Sequence, residues 1–382
     1  MSGMKVAVAR AANSSTETPQ DKRRRKTPTV VLVIIVIVVA AAAGLFAYSS
    51  SYAPPPPCTA TWECGASYPI QAGGTFGVAG AQCSANGTVV YCVGGVDPDG
   101  DPRSDVYLGS ISPAGNLSQW EPTTDYPTQV SGESCAAWGG RLYCVGGIRD
   151  DEGDDVASSY YAALGSTGVS AWNSTTPYPV PVDSESCVAS DGFIYCIAGN
   201  NETSGTNGNV APSDTVWYAG LSDDGIGTWV RTTSYPPGTY VPSCLASGGF
   251  VYCFGGADPD GNPITASYYA PLSSSGVGNW TQTTGYPIPA TGQACTAAAG
   301  SVYCVGGETS GGETPAFTDS VYFAQVSAAG VGDWKQGTDF PRDAGTSCVA
   351  SAGSIYCVGG FDESSVGEDS IVSYASLAAL AG

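Results

Sequence analysis

The 382 residues suffice for one large domain or two ordinary ones, and 52 glycines, 26 prolines and 22 tyrosines against only 12% charged residues argue for short strands and many turns. Seven of the 13 Lys and Arg precede residue 29, so the remainder carries 32 acidic groups against six basic ones, a net of −26; such a surface excludes nucleic acid and anionic lipid as partners and suits cations, calcium or neutral sugars. The chain has no histidine, which excludes a Ser-His-Asp triad and His-ligated zinc.

Residues 1–28, rich in Ser, Thr and charge, read as a disordered cytosolic tail. Between Thr27 and Thr61 there is no charged residue, and residues 30–47 (VVLVIIVIVVAAAAGLFA) form an apolar run of about bilayer length. A transmembrane signal anchor is therefore expected over residues 29–48, inserted in the lipid bilayer, with cleavage after its Ala-rich end as the alternative. The basic cluster Lys22–Lys26 on its N-terminal side puts the N-terminus in the cytosol and the rest outside the cell or in a secretory lumen. Residues 49–58, with Pro54–Pro57, read as a stiff linker, and residues 59–382 as the ectodomain. Fourteen cysteines in that compartment mean disulfides. Asn86, Asn116, Asn173, Asn201 and Asn279 head Asn-x-Ser/Thr triplets on the same side and are candidate glycosylation sites.

The ectodomain is a sixfold repeat. A Trp followed six residues later by an aromatic and then Pro recurs at Trp62/Tyr68, Trp120/Tyr126, Trp172/Tyr178, Trp229/Tyr235, Trp280/Tyr286 and Trp334/Phe340. Six cysteine pairs, each nine apart, alternate with these: Cys83/Cys92, Cys135/Cys144, Cys187/Cys196, Cys244/Cys253, Cys295/Cys304 and Cys348/Cys357. A two-residue turn at Gly139-Gly140 sets Cys135 directly opposite Cys144. The pair falls at a non-hydrogen-bonded position, where Cα atoms stand about 4.5 Å apart and a disulfide fits. The same turn falls at Asp191-Gly192, Gly248-Gly249, Ala299-Gly300 and Ala352-Gly353; the first copy, with Asn86-Gly87-Thr88, is off by one. Zinc or redox roles for these cysteines need closer spacings.

Each hairpin ends in Gly-Gly, or Ala198-Gly199 in the third copy. A polar loop follows, then a third strand with an aromatic pair such as Tyr160-Tyr161, then a short Ser/Gly turn and a fourth strand carrying the Trp. This order of Tyr-Cys-Val-Gly-Gly, aromatic and Trp resembles the kelch repeat over roughly residues 59–378, and the resemblance implies an all-β, six-bladed propeller. The first Trp strand lacks three partners and the last copy lacks a Trp strand, so the N-terminal strand is expected to close the ring as the outer strand of blade six. Cys58 and Cys64 remain, in or beside that strand, and are expected to pair through a local bend.

Tight turns occupy one face of such a disc and long variable loops the other, so binding residues are expected on the loops. Asp97, Asp99, Asp101 and Asp105 have a spacing that can wrap calcium, and Asp258, Asp260 and Asn262 repeat its first half. The same residues are ordinary turn material, and Pro102 and Pro263 in place of the usual sixth-position glycine favour the turn. Glu133, Asp183 and Glu185, with Asp343, are the loop acids beside the first strands. The copper chemistry some kelch propellers support needs histidine and is excluded. Ser222–Trp229 looks like a sialidase Asp box, but Ile226 replaces its glycine, and the five ectodomain arginines show no reason to cluster. A binding module for a glycan or an extracellular protein, with no required cofactor and calcium as an optional ion, is therefore expected. A glycosidase or sugar epimerase using loop carboxylates is the first alternative, and a structural surface component the second.

Overall fold

The computed structural model describes residues 58–72, 75–149, 154–200, 213–236, 241–310, 316–342, 345–362, 367–368 and 370–381. Among these no helix is long and apolar enough to cross a membrane; the apolar run at residues 30–47 lies outside them.

Six antiparallel sheets form a six-bladed propeller. Blade 1 runs from Gln82–Asn86 through Val89–Val93 and Val106–Ser110 to Glu121–Pro122. Blades 2 to 5 follow the same order, with inner strands beginning at Ser134, Ser186, Ser243 and Ala294. Blade 6 is built from Gly345–Ser351, Ser354–Asp362 and Val372–Ser376, and Glu63–Cys64 completes it, with Glu63 opposite Tyr374 and Cys64 opposite Ser373. The expected closure of the ring by the N-terminal strand is therefore present, and a hydrogen bond from the Tyr374 hydroxyl to Glu63 (2.9 Å) reinforces it.

The cysteines of each hairpin face each other in register and are bonded, with Cα separations of 4.0–4.1 Å. Cys58 and Cys64 form the seventh disulfide, and no free cysteine remains. In five hairpins both turn residues have positive φ, including Asp191, Ala299 and Ala352, as a type I′ turn requires. The first hairpin turns at Gly87-Thr88 with only Gly87 positive, which is how it keeps Cys83 opposite Cys92.

The fourth strand differs from expectation. In blades 2 to 5 it is two short pieces, such as Gly168–Val169 and Asn173–Ser174, and the Trp sits in the break between them. The break frees each indole to donate its N–H to the preceding blade, as Trp172 does to Thr124 O (3.1 Å) and Trp280 to Thr233 O (3.2 Å). Each Trp also receives, edge on, the Tyr or Phe of the preceding Trp-aromatic-Pro unit at 4.9–5.2 Å between centroids, from Tyr68–Trp120 round to Phe340–Trp62. Phe340 of the last copy meeting Trp62 of the first makes the contact cyclic.

Two further ties join neighbouring blades. Thr123, Thr175, Thr232 and Thr283 each accept the N–H of the apolar residue after the next blade's turn glycine, and the threonines that follow them donate to that residue's carbonyl. The Tyr preceding the second Cys reaches the same turn, as Tyr143 does to Ser222 O (3.0 Å) and Tyr195 to Ser273 O (2.8 Å).

Candidate functional site

The first strands of the six blades surround the propeller axis, and at the end where they begin they line a cavity of about 660 Å³. Gly261, Glu308 and Phe317 from the long loops also line it, so it lies on the loop face. Its wall is sewn together by the residue before each first cysteine. The hydroxyls of Ser134, Ser186, Ser243 and Ser347 accept the backbone N–H of Cys187, Cys244, Cys295 and Cys83 in the next blade, at 2.8–3.2 Å. The other two copies carry Gln82 and Ala294 at this position, and blade 5 makes the tie two residues further along its strand, where Thr296 accepts the N–H of Ala350 (3.2 Å). A serine that accepts in this way can still donate its own hydrogen, as Ser186 does to Cys244 O (3.5 Å).

The loop acids lie deeper than their sequence context suggested. Glu133, Asp183 and Glu185 are 1%, 4% and 5% exposed. Glu133 and Glu185 line the cavity, but their carboxyl oxygens are enclosed, with no side-chain donor and only each residue's own, poorly aligned backbone N–H close by. Desolvation pushes the Glu133 carboxyl up to about 8 and Glu185 well above the usual carboxylate range. Asp183 accepts from the buried Asn200 amide (2.8 Å), a structural pairing that ties the lead-in of blade 3 to the loop after its hairpin. Asp343 lies outside the described residues.

Sequence reasoning missed four lining residues. Thr291 and Gln293 are 8% and 3% exposed, with Thr291 Oγ1 and Gln293 Oε1 unpartnered. Glu308 is half-buried with its carboxyl raised by desolvation, and Phe317 is the aromatic ring of the wall. Glu308 and Phe317 reach the axis because a backbone bridge pairs Glu308 with both Thr291 and Phe317, a loop contact that no spacing within one copy reveals.

The two Asp-rich loops are self-contained turns. Asp97 is 2% exposed; its Oδ1 accepts the N–H groups of Asp99 and Asp101 at 3.0 and 3.1 Å. Its Oδ2 takes Arg103 at 3.2 Å, and Arg103 also binds Asp105 at 2.9 Å. The structure thus gathers Asp97 and Asp105 around a guanidinium, while Asp99 and Asp101 point to solvent. Asp258 Oδ1 likewise accepts from the N–H groups of Asp260 and Asn262, and the Asn262 N–H in particular holds the Asp258 carboxyl below its ordinary value. No group of three or more carboxylate or cysteine side chains placed to hold a metal occurs among the described residues.

The arginines do not converge. Arg141, in a hairpin on the tight-turn face, pairs with Asp223 of the next blade at 2.7 Å, and Arg342 is buried, donating to Gly359 O and Ile371 O. Asn86, Asn116, Asn173 and Asn279 are exposed, at or beside the tight-turn face; Asn201 lies outside the described residues.

No family description matches the chain, and no curated protein sequence does. Among solved structures, that of YjhT matches with a TM-score of 0.63 over 80% of this chain and 95% of its own, at 12% identity. At that identity the likeness concerns the fold alone: a six-bladed β-propeller whose seven disulfides suit an extracellular or luminal compartment.

Proposed function

We propose that the chain is a membrane-anchored, kelch-type binding module, held by residues 29–48, that takes a glycan or an extracellular protein on its loop face. The axial cavity carries this reading. Its volume of about 660 Å³ falls in the range of small-ligand sites, and its wall offers the hydroxyls of Ser134, Ser186 and Ser243 beside one aromatic ring, Phe317. Hydroxyls around one ring face are what a polyhydroxylated ligand pairs with. The net of −26 beyond the leader favours neutral or cationic ligands over anionic ones.

The alternative, a carbohydrate-active enzyme, is supported by one observation: Glu308 faces the cavity with the raised carboxyl a general acid needs. A second accessible carboxylate would have to join it, whereas the oxygens of Glu133 and Glu185 are enclosed. Glycan-array binding of the full-length protein, followed by incubation of each hit, separates these readings. Retention of a neutral glycan without product, lost in Phe317→Ala, is the expected result. Product formation abolished in Glu308→Gln would favour the enzyme, and no binding to any glycan or cell-surface protein would leave a structural component.

A further inference from the structure

The position two before the first cysteine carries Ala81, Glu133, Glu185, Pro242, Gln293 and Thr346 in the six copies. The three long polar side chains in this set are buried, and all three make the same crossing to the preceding blade. A Cβ built on Gly94 would come within 2.8 Å of Glu133 Oε1; on Gly146, within 2.9 Å of Glu185 Oε1; on Gly255, within 2.6 Å of Gln293 Nε2. Gln293 shows what the place demands, because its Nε2 donates to the carbonyl of Phe254 at 2.8 Å. Phe254 is the residue after the second cysteine of blade 4. Its counterparts, Val93 and Val145, occupy the same register between first and third strands.

In Glu133 and Glu185 an oxygen stands where Gln293 has its amide nitrogen, beside the preceding blade whose corresponding carbonyl, like that of Phe254, can accept a second hydrogen bond. We infer that Glu133 and Glu185 are carried as neutral carboxylic acids that donate to Val93 O and Val145 O, making the seams between blades 1, 2 and 3 pH-sensitive fasteners beside the axial cavity. None of the four carboxyl oxygens meets a side-chain donor, and the one group favouring ionisation is each residue's own backbone N–H, too poorly aligned for a full hydrogen bond and outweighed by desolvation, so an ionised form would be buried with little compensation. The titratable groups acting on Glu133 are the Tyr68 and Tyr126 hydroxyls and Glu185; those acting on Glu185 are Asp183, Asp155, Glu133, Tyr126 and Tyr178. No basic side chain is among them. The cavity wall feels the switch directly, since Glu185 lies two residues from Cys187, whose N–H is held by Ser134.

The folded chain keeps protons that the unfolded chain releases above about pH 4.3. The fasteners therefore act in full below that pH and are lost as pH climbs through the raised folded values, about 8 for Glu133. Glutamine supplies the donor at every pH. Melting temperatures of the full-length protein and of Glu133→Gln, Glu185→Gln and the double variant, taken from pH 5 to pH 9, test this. The double variant should gain on the native chain by little at pH 5 and by several degrees at pH 9, and the infrared band of a protonated carboxyl should be present in the native protein at pH 7 and absent from the double variant. A difference that is flat or falling with pH, or a native spectrum at pH 7 without that band, overturns the inference.

Discussion

Ala198 shows how closely single residues are fitted to their neighbouring blade. It replaces the first glycine of the pair that ends the hairpin of blade 3, at φ +59°, a conformation costing an alanine about 1–2 kcal/mol. The facing position in blade 4 is Pro242, so no long side chain lies over it, whereas Gly94 lies under Glu133 and within 2.7 Å of the Val130 carbonyl for any added Cβ. Ala198→Gly should therefore stabilise the protein by about 1 kcal/mol, and Gly94→Ala should destabilise it by about 3 kcal/mol, strain and clash together, in denaturant unfolding. The threonine clamps give a second residue-scale expectation. Thr232 accepts the N–H of buried Val277 and also donates to its carbonyl. Thr232→Val should cost about 1–3 kcal/mol by orphaning that N–H, and Thr232→Ser should restore most of it; equal losses in both would mean that the methyl, not the hydroxyl, matters.

The hairpin is the element that sequence spacing describes best. Side chains alternate with period two, so a nine-residue separation around a two-residue turn leaves one register for a cysteine pair, and six copies adopt it. Removing one staple, as in Cys135→Ala/Cys144→Ala, should cost about 2–3 kcal/mol through the chain entropy of its short loop, read by chemical denaturation. The Cys58–Cys64 bridge differs, because Cys64 is exposed while Cys92, Cys144, Cys196, Cys253, Cys304 and Cys357 are sealed at 0% exposure. Mild reductant followed by alkylation should label Cys58 and Cys64 first, and labelling of a hairpin pair ahead of them would contradict the burial pattern. What spacing could not show is whatever depends on the adjacent blade. The break at each Trp, the Thr clamps and the burial of Glu133 and Glu185 arise where one copy meets the next, and a repeat read along the chain contains no such contact. The loop acids looked solvated because they sit among polar residues in sequence, yet the Gly-Gly pair beside them leaves a slot that only a crossing side chain fills.

At the scale of the whole molecule, the closed ring accounts for the position of the cavity and for the stability of its wall. The N-terminal strand is only two residues long, but Trp62, fully buried against Phe340, anchors it, and the Trp62 indole donates to Thr338 O (3.2 Å). Trp62→Ala should cost about 3–5 kcal/mol and open the seam between blades 5 and 6; hydrogen exchange would show the loss first at residues 372–376 and 321–327, strands of those two blades that share its core cluster. The axial cavity is a property of six first strands together, so a ring assembled with any other pairing of strands would not contain it. Peptide mapping of the unreduced protein tests that assembly most directly. The predicted result is seven bridges, each joining cysteines nine apart except Cys58 to Cys64, and a bridge between cysteines of different copies, or a free thiol at any of the six hairpins, would contradict it.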